Sequence, residues 1–132
     1  MNTRIITETA QATLAGSMAF PEVVGRLLET GVEYYHVDYV ARRKTFYNAE
    51  GDTVVTPIDY EDLPGVATDF DATALRANIR DSQDHRQSYR DFTRRAMEAG
   101  VLGYFAFLRG RRVLYLGRQG DQHTEWFPGA EP

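Results

Sequence analysis

His36 and Asp38 stand two residues apart, and His123 and Glu125 repeat that spacing near the other end of the chain. Imidazole nitrogen and carboxylate oxygen suit zinc, iron, nickel or manganese, so the four would form a metal site if their segments were neighbours in one sheet. The same set could do acid–base work, with His36 titrating, Asp38 or Glu125 orienting it, and Tyr34 or Tyr47 supplying a hydroxyl. Alternating polar residues on a half-exposed strand give this pattern with no chemistry attached, and that plainer reading is the favoured one. The third histidine, His85, lies in the polar run DSQDHRQS and reads as solvated.

Other chemistry is thinly represented. No nucleophile elbow, phosphate loop, dinucleotide fingerprint or HExxH is found, because GRLLETG and GRQGDQ carry glycines at the wrong spacing. No residue is assigned a catalytic role, and no cofactor is specified. Arg42, Arg43 and Lys44 form one basic cluster and Arg109, Arg111 and Arg112 another, with Arg118 nearby. Both sit at expected hairpin turns, where neighbouring tips could grip phosphate. The acidic balance of the chain and the lack of a recognition helix weigh against nucleic acid.

The elements that hold these residues follow from periodicity. In YYHVDYV, residues 34–40, a strand sends Tyr35, Val37 and Tyr39 to one face and Tyr34, His36 and Asp38 to the other. KTFY and TVVTPI continue as strands across short turns, the second turn holding Gly51, and three strands joined this tightly should form an antiparallel meander. Two helices precede them. One spans residues 3–15 and ends at Gly16; the other begins at Pro21, carries Val23, Val24, Leu27 and Leu28 as its apolar stripe, and stops at Gly31.

After an irregular connection over residues 57–70, Asp71 caps a helix bearing Leu75 and Ile79, and a further helix aligns Tyr89, Phe92, Thr93, Ala96 and Met97 before Gly100. VLGYFAFL and RRVLYLG then read as a hairpin, with HTEWF as one more edge piece. The expected fold is α+β, an antiparallel sheet of about five strands with helices packed on it in the order ααβββααββ, forming one domain over residues 1–132. No internal repeat is evident at this level.

Composition sets the outer limits. A chain of 132 residues with 42% hydrophobic and 26% charged residues can bury one substantial core. It has no cysteine, which excludes disulfides, thiolate metal sites and a cysteine nucleophile. No apolar run is long enough for a signal peptide or a membrane span, so a cytoplasmic protein without membrane association is expected. The formal charge of -4 is uneven, because no basic residue falls between Lys44 and Arg76 while seven acidic ones do, from Glu50 to Asp71.

The stretches FPEVVGRLLETGVEYYHVDYVARRKTFYN and AGVLGYFAFLRGRRVLYLGRQGDQHTEWFP resemble the YbcV-like bacterial family, sometimes labelled phage envelope protein. That resemblance covers nearly the whole chain and implies a small α+β protein with no established activity, cofactor or catalytic residue. The soluble composition argues against the envelope label. The reading favoured is a non-catalytic, self-associating module, a homodimer, that holds a small ligand or protein partner on its aromatic sheet face or acidic loop. Tyr34, His36, Asp38, Tyr47, His123 and Glu125 are its candidate contact residues. The alternative is a metal-binding protein or acid–base enzyme centred on His36, Asp38, His123 and Glu125.

Overall fold

A computed structural model describes residues 1–131. The chain runs through helix α1 (Thr3–Ala15) and helix α2 (Phe20–Glu29), strands β1 (Val32–Asp38), β2 (Arg43–Asn48) and β3 (Thr53–Pro57), helices α3 (Ala72–His85) and α4 (Tyr89–Glu98), and strands β4 (Val101–Phe107), β5 (Arg112–Gly117) and β6 (Gln122–Trp126). The α+β class and the element order hold. The sheet has six strands rather than about five, because the closing HTEWF piece pairs fully with β5. All neighbours are antiparallel, in the order β3-β2-β1-β4-β5-β6.

Local chemistry explains the helix ends. The Asn2 side chain accepts from Ile5 N at 3.1 Å, Asp71 from Ala74 N at 2.9 Å and Ser88 from Asp91 N at 3.0 Å, so three of the four helices start on a side-chain cap. Gly16 closes α1 at φ 73. The apolar stripes Ile6–Ala10, Val23–Leu27, Leu75–Ile79 and Phe92–Met97 are buried. They cover one face of the sheet, where Tyr35, Val37, Phe46, Val54, Tyr104, Ala106, Val113 and Tyr115 complete the core. Alternate strand residues on the other face, Gly103 apart, stay half-exposed or exposed, for no helix lies over them.

The acidic connection is held by cations reaching its backbone. Arg90 donates to Glu61 O at 2.9 Å and Arg118 to Val66 O at 3.2 Å, while Ala67 N donates to Met97 O and Asp71 N to Ala99 O. These bonds fix a long loop against α4 and the β5–β6 turn.

The absence of internal repeats expected from the sequence is corrected here. Each element of the second half begins 69 residues after its counterpart: Thr3 and Ala72, Phe20 and Tyr89, Val32 and Val101, Arg43 and Arg112, Thr53 and Gln122. Finer features obey the same offset. Register shifts occur between Val32 and Tyr34 and between Val101 and Gly103. Arg42 and Arg111 both take positive φ, at 60 and 55, and the bond from Tyr39 N to Leu102 O, 3.0 Å, is matched by Leu108 N to Glu33 O, 3.1 Å. The fold is two ααβββ units joined through β1 and β4. His36 and Phe105, equivalent in the two units, are also cross-strand partners, so the approximate two-fold axis relating the units passes between them.

Candidate functional site

Registers turn the uncovered face into a grid of three rows. Thr53, Tyr47, Tyr34, Phe107, Arg112 and Trp126 form the first row; Val55, Thr45, His36, Phe105, Leu114 and Thr124 the second; Pro57, Arg43, Asp38, Gly103, Leu116 and Gln122 the third. Aromatic rings dominate the first row. Tyr34 stacks on Tyr47 with centroids 4.7 Å apart and lies 6.0 Å from Phe107, and the Arg112 guanidinium sits 4.4 Å from the Trp126 ring. Phe105 joins Phe107 at 5.9 Å and stacks on His36 at 4.3 Å. A shallow groove of about 490 Å³ runs along this row, lined by Tyr34, Phe107, Arg109, Arg112 and Leu114 among others.

Of the sequence-derived candidates, Tyr34, His36, Asp38 and Tyr47 therefore share this face. Burial pushes the His36 imidazole below its ordinary range, with nearby Arg43 pushing the same way and Asp38 opposing both. The Asp38 carboxylate serves the turn, its Oδ1 accepting from Val40 N at 3.0 Å and Ala41 N at 2.9 Å.

His123 and Glu125 lie elsewhere. They are paired with Tyr115 and Val113 and so face the helix side, at the β6 edge, with His123 Nε2 and Glu125 Oε1 3.1 Å apart. Strands β4 and β5 separate β6 from β1, and the sheet itself lies between the two pairs. The four residues do not converge, and among the described residues no group of three or more His, Cys, Asp or Glu could hold a metal ion. The two arginine-bearing turns, after β1 and after β4, fall at opposite ends of the antiparallel central pair and form no joint cradle.

One residue was missed by reading motifs. Lys44 lies on the helix side of β2 at 3% exposure, with its ammonium nitrogen 4.3 Å from the centroid of the Tyr89 ring. Burial pushes its amine down to about 7. The Tyr89 hydroxyl lies 2.7 Å from that of Tyr104, whose ring packs among Tyr35, Tyr39 and Tyr115. A signal was available, since Lys44 is the sole lysine beside fourteen arginines. Its place next to Arg42 and Arg43 disguised it as one more turn cation.

Comparison with known proteins adds ancestry without chemistry. Proteins described as uncharacterized, Rv2012 of Mycobacterium tuberculosis and Mb2035 of Mycobacterium bovis, are each 36% identical over 63 residues. That match takes in 48% of this chain but 38% of each relative, so the chain covers well under half of the length of these curated relatives. A family model described as "Protein of unknown function (DUF1398)" matches residues 2–124. That span takes in all four helices and the first five strands, and the chain belongs to the DUF1398 family.

Proposed function

We propose that this protein is a non-catalytic interaction module that self-associates through its uncovered sheet face, forming a homodimer of cytoplasmic character. The observation that carries the reading is the aromatic grid. Six strands at about 4.8 Å spacing and roughly six residues of about 3.3 Å rise give a face of about 29 by 20 Å. That is near 600 Å² in projection, and side-chain relief brings its accessible area toward the roughly 800 Å² per partner of a standard interface. Two such faces stack at about 10 Å, as in a β-sandwich, with aromatic anchors interdigitating at the centre. Tyr34, Tyr47, His36, Phe105 and Phe107 are the central contacts, with Asp38 and Arg43 on the rim. His123 and Glu125 take no part. Membership of the narrower YbcV-like group belongs to this proposal and assigns no residue a role.

Sedimentation equilibrium over a range of concentrations tests it. The chain of 15.0 kDa should run at twice that mass, and Phe107→Asp, a charge placed within the aromatic row, should weaken association at least about tenfold, or about 1.4 kcal/mol. A wild-type protein that stays monomeric at the highest concentration reached would overturn self-association and leave the groove beside Arg112 to a small ligand.

A further inference from the structure

The two units provide an internal control for the buried lysine. At the positions equivalent to Lys44, Tyr39, Thr93, Tyr89 and Tyr60, the other unit has Val113, Leu108, Val24, Phe20 and Gly129. One backbone plan thus accepts a wholly apolar set at these places. In the first set the Tyr39 and Thr93 hydroxyls meet each other in the core, while that of Thr56, the cross-strand neighbour of Lys44, is buried without a hydrogen-bond partner. Thr56 has Glu125 as its counterpart, and that carboxylate turns to His123. A buried amine and an orphaned hydroxyl in a core each oppose folding, and Val113 shows that the fold works without the amine. Local violations of this kind mark functional sites.

Tyr60 stands at the outer edge of this cluster. Tyr60 is half-buried near Tyr89, its hydroxyl donating to Leu14 O at 2.6 Å, and the exposed Arg90 lies over its ring at 5.4 Å. Glycine at the equivalent position 129 places no side chain there.

We propose that Lys44 is a ligand-binding amine, which holds a small carbonyl compound as an imine after it enters past Tyr60. The Nζ lone pair adds to the carbonyl carbon to give a carbinolamine. Its hydroxyl then leaves with a proton as water, and the C=N bond forms with no change of oxidation state. The Tyr89–Tyr104 hydroxyl pair offers a route for that proton, and the Tyr89 ring face under Nζ favours the iminium cation. Burial keeps the amine substantially unprotonated near neutral pH, the form that adds. The site is on the opposite side of the sheet from the aromatic grid and stands independently of self-association.

Acetaldehyde with cyanoborohydride, read by peptide mass spectrometry, tests it on the intact chain. Lys44 and the α-amino group are the two primary amines, so every adduct is assigned without ambiguity. In the native protein Lys44 should be alkylated alongside the α-amino group, and Tyr60→Gly should speed Lys44 labelling several-fold while leaving α-amino labelling unchanged. Lys44→Val, the residue of the equivalent site, should fold and carry only the α-amino adduct. The proposal is overturned if Lys44 stays unmodified in both the native protein and Tyr60→Gly while the α-amino group reacts. It is equally overturned if Lys44 labelling rises with urea in step with global unfolding.

Discussion

A single side chain sets the expected pH dependence of stability. Lys44 titrates near 7 when folded and at about 10.4 in the unfolded chain, so between these values the unfolded chain binds more protons. Stability must therefore rise with pH across this window and be lowest below 7. The limiting slope for one proton is about 1.4 kcal/mol per pH unit, which gives a gain on the order of 2 kcal/mol between pH 7 and 9. Urea midpoints should show this gain in the wild type and a flat line in Lys44→Val. Above about pH 10 the trend reverses, because burial raises Tyr35, Tyr104 and Tyr115, and their stabilising contribution is lost as the unfolded tyrosines ionise. The same contrast separates structure from sequence at His36 and His123: alternation told which neighbours share a face within a strand, but nothing local told which face the helices would cover.

Among the elements, the helix-to-strand junctions carry the sharpest contrast between the two units. Gly31 and Gly100 are equivalent and both take the left-handed backbone, at φ +88 and +91. A Cβ on Gly31 would meet nothing within 4 Å, whereas one on Gly100 would lie 2.3 Å from the Asp69 carbonyl oxygen. Gly31→Ala should therefore cost only the left-handed conformation, about 1–2 kcal/mol, while Gly100→Ala should cost distinctly more. The excess arises because the segment pinned by Ala67 N to Met97 O and Asp71 N to Ala99 O has to move. Denaturant midpoints of the two variants, compared on one wild-type slope, check the ranking. Helix limits of this kind were readable in advance: Asp71, Gly16 and Pro21 act within a few residues of themselves. The extent of β6 was not, since an edge strand depends on its neighbour more than on its own composition.

For the whole molecule, the β1–β4 ladder joins the two units into one sheet, and α1 packs against α4 across the join. We expect one cooperative unfolding transition over the entire chain. Trp126, the sole tryptophan, reports the second unit, while far-UV circular dichroism reports both. Their urea curves should coincide; a fluorescence transition displaced from the other would mean that the units unfold separately. The duplication itself stayed hidden because the units share few identical residues, among them Arg26 and Arg95, Gly31 and Gly100, Tyr35 and Tyr104, and Gly51 and Gly120. Sequence alone determined helices, turns and the alternation of each strand, because caps, glycines and apolar spacing act over a few residues. Only tertiary structure decided that His36 and His123 face opposite ways and that Lys44 is buried. Those outcomes depend on pairing between strands distant in the chain, and on which side of the finished sheet the helices come to rest.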